Sequence, residues 1–188
     1  MLTLFPVDPE YPEGFVYEEG FISAAEEAKL LEVVRALPLQ TFTFQGYEAK
    51  RRIASYGYDY SFEEGRLKRG ADIPEPFHPL VAQVARRIGK APEALVELLV
   101  TEYPPGAVIN WHRDAPPFGL IAGISLGTDC TFRLRPYEKA LQVRAATRSL
   151  TVRRRSLYVM DGSARSEWQH SIAAVKQTRY SITLRTLK

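Results

Sequence analysis

Apolar and polar positions recur with two periods along this chain, and the change between them falls near its middle. The first half is helical in period. Ser23 with Glu26 three residues later forms a capping-box pair, and Leu30, Val33, Val34 and Leu37 then recur on one face until Pro38 ends the run. This spacing predicts a helix over about 24–37. Leu80, Val81, Val84, Ala85 and Ile88 predict a second over about 78–89, closed by Gly89 at a position suited to the left-handed conformation. His78 stands at its proline-marked entry, where a surface position is expected. A shorter third segment is expected over about 92–99.

From about residue 99 the period shortens to two. Apolar or alternating runs follow at 99–103, 107–112, 120–126, 130–135, 141–145, 149–154, 156–161, 169–173 and 179–187, divided by Gly, Pro, Asp or charged turns. Short strands at such spacing predict a closed or double-sheet β architecture rather than alternating βα units. The expected fold is mainly β with flanking α-helices: a jelly-roll core with N-terminal helices packed outside.

Composition narrows the functional classes. At 188 residues the chain is long enough for one domain with a sizeable core. No apolar run reaches the ~18 residues of a membrane span, and the opening MLTLFPVDPEYPEG carries acid and proline where a signal peptide needs base and a long apolar stretch. A soluble, unexported protein without a membrane partner is expected. Cys130 is the only cysteine, which excludes an internal disulfide and a thiolate zinc cage and suits a reducing, cytoplasmic setting. The formal charge of +3 permits an anionic partner without demanding one. Its cations cluster at Lys50, Arg51 and Arg52, at Arg66, Lys68 and Arg69, and at Arg153, Arg154 and Arg155.

The candidate chemistry begins with NWHRD, residues 110–114. In extended form His112 and Asp114 share one face roughly 7 Å apart, close enough to converge on one ion. Asn110 shares that face and is expected to line the pocket, while Trp111 and Arg113 turn outward. His170, in the late run 169–173, is the candidate third ligand, because a late jelly-roll strand can lie beside an early one. Two histidines and a carboxylate with other positions open are used by non-haem Fe(II) oxygenases. A zinc hydrolase could use similar ligands. In the last run Tyr180, Ile182 and Leu184 alternate with Arg179, Ser181, Thr183 and Arg185. If the polar face turns inward, its two arginines lie roughly 20 Å apart along the backbone, and side chains leaning together could seat a small dicarboxylate.

Taken in order, the HxD at 112–114, SLGTDCTFRLR at 125–135, SLYVMDGSARSEWQH at 156–170 and RxSxTxR at 179–185 resemble the AlkB family of Fe(II)- and 2-oxoglutarate-dependent dioxygenases, over about residues 50–188. The specificity lies in the ordered set. The resemblance implies a double-stranded β-helix core over about 96–188, with N-terminal helices and a substrate lid over about 1–95. It implies His112, Asp114 and His170 as iron ligands and Arg179 as the arginine for the far carboxylate of 2-oxoglutarate. Arg185 matches the second arginine, near the metal-bound end of the co-substrate, and Tyr103 matches a tyrosine that hydrogen-bonds it. Ser181 and Thr101 stand where the family commonly has asparagines, so two amides that would contact 2-oxoglutarate are replaced. SYGYDYS, 55–61, resembles the lid over the substrate nucleotide, with Tyr58 as its contact residue.

The activity so implied consumes Fe(II)-activated dioxygen and 2-oxoglutarate and removes N-alkyl groups from bases in DNA or RNA, releasing formaldehyde, succinate and CO2. Arg51, Arg52, Lys68 and Arg69, interleaved with Tyr56, Tyr58, Tyr60 and Phe62, are expected to grip a single-stranded substrate, with the protein acting as a monomer. The same chemistry on a protein side chain or small molecule, or a non-catalytic jelly-roll binding module, are the alternatives.

Overall fold

The capping-box pair forms as its spacing predicts. Ser23 Oγ accepts from the Glu26 amide at 3.2 Å, and Glu26 Oε2 accepts from the Ser23 amide at 2.7 Å. Such a cap stabilises a helix by about 1 kcal/mol, and here it starts α1, Ala24–Ala36. Helix α2, His78–Arg87, closes on Gly89 at φ +66, with the Lys90 amide bonded back to the Ala85 carbonyl and the Gly89 amide to that of Arg86. This paired closure is why the apolar period stops there. The computed structural model describes residues 10–44 and 46–188, so the expectation drawn from the first nine residues lies outside the described residues. No described helix is long and apolar enough to cross a membrane.

The strands are β1 (Phe15–Glu18), β2 (Gln40–Phe44), β3 (Tyr47–Ser61), β4 (Arg66–Arg69), β5 (Glu97–Tyr103), β6 (Ile109–His112), β7 (Phe118–Leu126), β8 (Cys130–Pro136), β9 (Arg148–Val152), β10 (Leu157–Met160), β11 (Trp168–Ile172) and β12 (Arg179–Leu187). A short helix α3, Gly162–Ser166, links β10 to β11. One sheet runs β1-β10-β7-β12-β5-β3-β2, with β4 paired to the far part of β3, and a smaller one runs β6-β11-β8-β9. The larger sheet is buried on both faces. Leu98, Val100, Ile124, Ile182 and Leu184 meet Leu30, Val34, Leu80 and Val84 of the helices, and Phe118, Ile121 and Tyr158 face Phe132, Leu134 and Ile172 of the smaller sheet. Each such side chain contributes roughly 1.5–3 kcal/mol through burial. The result is the double-stranded β-helix with helices packed outside, as the strand spacing and the resemblance led us to expect.

Two local expectations fail, each for a tertiary reason. Segment 92–99 makes only the 3-10 turn Pro92–Ala94 before β5 begins, because its apolar run is buried between β3 and β12. Segment 141–145 pairs with no strand among the described residues and forms exposed 3-10 turns at Lys139–Leu141 and Arg144–Ala146, with Leu141 and Val143 left at the surface. The lid segment 55–61 is the continuation of β3, folded against β4. Within it Gly57, at φ +81, lets the chain pass where any Cβ would lie 2.1 Å from the Val96 carbonyl oxygen. Tyr56 before it packs on the helix-side core and Tyr60 after it on the core between the sheets, so the strand changes face there.

Candidate metal centre and co-substrate pocket

Antiparallel pairing of β6 with β11 puts His170 directly across from His112, their ring centroids 4.2 Å apart. Residues 58 positions apart in sequence thus become neighbours on the inner face of the smaller sheet. Asp114 reaches them differently from the expected extended HxD. Strand β6 ends at His112, and Asp114 lies on the following loop, its Oδ1 3.5 Å from Nε2 of each histidine. The three ligand atoms lie within 4.8 Å of one another.

The loop is held by a residue that sequence reasoning missed. From α3, Arg165 donates to the carbonyls of Ala115, Phe118 and Gly119 at 2.8 to 3.0 Å and to that of Asp114 at 3.3 Å. A guanidinium with its fixed fork of donors suits this task better than a lysine would. Nothing in its spacing signals the role, since the carbonyls it gathers lie about fifty residues away.

The triad is poised for a divalent ion. His112 Nδ1 lies 2.8 Å from the Asn110 carbonyl oxygen, which as acceptor fixes the proton on Nδ1 and leaves Nε2 as a ligand. Burial and the neighbouring His112 push His170 down to about 3, so its imidazole is neutral near pH 7. Burial works to raise the Asp114 carboxyl, but Arg185 and both imidazoles hold it well below the usual carboxylate range. A neutral imidazole at His170 and an ionised carboxylate at Asp114 are protonation states that metal binding requires.

Strand β12 turns its polar face inward. Arg185 donates from Nε to Asp114 Oδ2 at 2.8 Å and from Nη1 to Glu97 Oε2 at 2.5 Å. It therefore orients a candidate ligand, a more specific placement than a general co-substrate contact. Glu97 was also missed, because it lies in the segment expected to be helical; burial pushes its carboxyl up, and Arg185 offsets part of that. Arg179, fully buried, donates from Nε to Ser125 Oγ at 3.0 Å, while neither Nη nitrogen has a hydrogen-bond partner among the described residues. Tyr103, its cross-strand neighbour, has its ring centroid 5.0 Å from the guanidinium carbon. Ser181 and Thr101 pair across the same strands and are both buried. Buried guanidinium donors without acceptors are costly, and a carboxylate would satisfy both Nη groups at once. The residues present fit a ferrous ion and a dicarboxylate.

A cavity of about 560 Å³ opens over the triad, with Thr101, Tyr103, Thr183 and Arg185 on its floor and Arg51, Tyr60 and Phe62 on its rim. Three expected substrate residues are elsewhere. Asn110 is exposed and off the cavity wall, because β6 is irregular opposite β11 and only its carbonyl turns to the site. Arg52 neighbours Arg51 on a strand, so it faces the other way and pairs with Glu102 at 2.5 Å. Tyr58 lies across from Arg69, 6.0 Å from its guanidinium, and does not line the cavity. Arg51 does line it, its guanidinium carbon 4.2 Å from the Phe42 ring centroid. His78 sits at the surface as expected, bonded to the Ile73 carbonyl at 2.9 Å.

Comparison with known proteins agrees with this geometry. A model of the 2OG-Fe(II) oxygenase superfamily matches residues 14–185. The tRNA (carboxymethyluridine(34)-5-O)-methyltransferase ALKBH8 of Mus musculus is 27% identical over 171 residues, which cover 88% of this chain and 25% of that protein. The Alkylated DNA repair protein ALKBH8 homolog of Arabidopsis thaliana is 27% identical over 180 residues, covering 85% of this chain and 50% of that protein. The chain thus spans between a quarter and a half of the length of these relatives. Among solved structures, OsALKBH1 superposes with a TM-score of 0.73 at 13% identity, covering 94% of this chain and 98% of the other. A Pseudomonas putida prolyl-4-hydroxylase gives 0.67 at 16% identity and 93% of each chain. The chain belongs to the 2OG-Fe(II) oxygenase superfamily, whose chemistry works with Fe(II), 2-oxoglutarate and dioxygen, and it is similar to AlkB-homologue proteins.

Proposed function

We propose that this dioxygenase removes N-alkyl groups from bases in single-stranded DNA or RNA, releasing formaldehyde, succinate and CO2. The observation that carries the site assignment is Arg179: a buried guanidinium with two unpartnered Nη groups, packed against Tyr103, which lines the cavity over the His–Asp–His triad. His112, Asp114 and His170 hold the iron. Arg179, with Tyr103 beside it, takes the far carboxylate of 2-oxoglutarate. Arg185 braces Asp114 through its outer oxygen, and Arg165 fixes the loop that carries Asp114. When bound, Fe(II), 2-oxoglutarate and dioxygen supply the oxidising power that hydroxylates an N-alkyl carbon, which then leaves as an aldehyde.

The chain's other contribution is selection. Tyr60 and Phe62, at 5.0 Å and edge to face, and Arg51 over Phe42 present aromatic and cationic surface at the rim, suited to stacking an unstacked base. The relatives, one a transfer-RNA enzyme and one an alkylated-DNA repair protein, support nucleic acid as the substrate class. The test is mass spectrometry of formaldehyde release and methyl loss across single-stranded oligonucleotides bearing 1-methyladenine, 3-methylcytosine and other methylated bases. Methyl loss dependent on both iron and 2-oxoglutarate is expected. Turnover of 2-oxoglutarate with no methyl loss from any oligonucleotide would move the substrate to a protein side chain or small molecule.

A further inference from the structure

The cations expected to hold a phosphate backbone are mostly engaged elsewhere. Arg52 pairs with Glu102, Arg66 and Lys68 with Glu64, and Arg69 with Asp72. The outer face of the smaller sheet is built otherwise. None of its four strands, β6, β11, β8 and β9, carries an aspartate or glutamate. With His112, His170, Phe132 and Leu134 facing inward, alternation sends Trp111, Arg133 and Arg135 outward, and Tyr137 continues the same side just past β8.

These residues interlock. The guanidinium carbons of Arg133 and Arg135 lie 5.2 Å and 4.5 Å from the Trp111 ring, which reaches them across Gln169 and Ser171 of β11. Arg113 stacks 3.5 Å from the ring of Tyr137, which is 48% exposed. The groups that orient the guanidiniums are neutral: Ser171 Oγ accepts from Arg133, Gln169 Oε1 from Arg135 and the Ser166 carbonyl from Arg113. Among the described residues none of the three forms an ion pair. The Nη groups of Arg133 and Arg135 meet no acceptor among the described residues and are not buried among them, so they face outward. A full positive charge held in place by an aromatic face and a neutral acceptor is preorganised for an anion from outside.

The direction of this row matters. Arg133, Arg135 and Tyr137 step along one strand at roughly 7 Å intervals. The row ends at Arg113, which lines the cavity over the triad. We propose that the outer face of the smaller sheet is a docking surface for single-stranded nucleic acid, with Arg133 and Arg135 on successive phosphates and Tyr137 stacking a base, next to the nucleotide that enters the cavity. This rests on the nucleic-acid reading of the active site and adds where the flanking strand runs. Fixed cations alternating with aromatic rings are the recognised chemistry for phosphate and unpaired base together.

Fluorescence anisotropy with an unmodified single-stranded oligodeoxyribonucleotide and its RNA counterpart, over a range of salt, tests it. The double variant Arg133→Gln/Arg135→Gln is expected to weaken binding at least tenfold at low salt. It should also flatten the slope of log K against log salt by about 1.4, as loss of two single-strand phosphate contacts requires. Tyr137→Ala should weaken binding about tenfold with the slope kept, as loss of one stacked base does. Lys68→Gln/Arg69→Gln, which removes the same charge, should leave the slope at the wild-type value.

Equal losses in both double variants would overturn the docking surface in favour of general charge attraction. Polyglutamate competing as well as the oligonucleotide would overturn it in favour of an acidic protein partner. Demethylation of oligonucleotides that the Arg133→Gln/Arg135→Gln variant still binds normally would sink this surface and leave the N-dealkylase reading standing. The expected binding losses with no demethylation of any oligonucleotide would uphold the surface and sink that reading.

Discussion

Two buried charges in this molecule have opposite surroundings. Glu27 of α1, 1% exposed, accepts from Arg154 through both Nε and Nη2 at 2.6 to 3.1 Å and from the Gly127 amide at 2.9 Å. Arg179 of β12, equally buried, has one serine hydroxyl and two unanswered Nη groups. The first set is closed: the turns that follow β7 and β9 supply its donors, and the carboxylate fastens α1 to the sheet. The second is open, and so is the triad, where three ligand atoms lie within 4.8 Å of one another. A buried charge that the protein completes serves the fold, while one that it leaves incomplete implies a partner from outside.

The sharpest way to break this contrast is to remove a ligand from the open side. His170→Ala should cost metal affinity beyond the ~10–100-fold typical of outer-shell changes and take 2-oxoglutarate decarboxylation below detection. Titration with Mn(II) or Co(II) measures it, and affinity kept within tenfold would contradict the triad. Next in size is Arg179→Met. Hydrogen bonds to a charged group are worth about 1.5–3 kcal/mol, so the apparent affinity for 2-oxoglutarate should fall roughly 100-fold. Stability without ligand should hold or rise, since the variant no longer buries donors without acceptors. Lower stability together with unchanged 2-oxoglutarate binding would assign Arg179 to the fold.

Glu27→Ala should behave in the opposite way. It is expected to lower stability by about 2 kcal/mol, seen as a reduced denaturant midpoint at constant slope, with 2-oxoglutarate affinity unaffected. Arg154 is half exposed and regains water when its partner goes, which keeps the cost below the ~3–5 kcal/mol of a fully buried pair. A change in co-substrate affinity as large as that of Arg179→Met would erase the distinction between the two regions.

The open region was more legible in the sequence than the details around it. Alternation along β12 separates Arg179, Ser181, Thr183 and Arg185 from the apolar residues, and period two holds because one face meets helices and the other the cavity. His170 was legible as a late-strand ligand for the same reason. What failed depends on register or on loops. Arg51 and Arg52 look alike in sequence, and only pairing with β5, which sets Arg52 against Glu102, decides which one faces the cavity. Asn110 and His112 share a parity that β6 does not keep, and Asp114 owes its place to Arg165. Glu27 was hidden in the polar positions of a surface helix, because its partners come from residues about a hundred positions away.

The smallest expected effect separates the regions by pH alone. His170 protonates in the unfolded chain near its ordinary value of 6.5 but in the folded protein only near 3. Between those values the unfolded state binds the extra proton, so the contribution is complete above pH 6.5 and is lost as pH falls, at up to ~1.4 kcal/mol per pH unit. Asp114, held well below the usual carboxylate range, keeps its charge through most of that window, and its own contribution disappears only at lower pH. Urea unfolding of the metal-free protein should therefore show a loss of about 1 kcal/mol from this group between about pH 7 and pH 5.5. His170→Asn should remove that component, because asparagine takes up no proton there. Glu27→Ala, already less stable, should keep the wild-type slope. An equal slope in wild type and His170→Asn would show that the proton is taken up elsewhere, and His170 would no longer be the neutral imidazole on which the metal assignment depends.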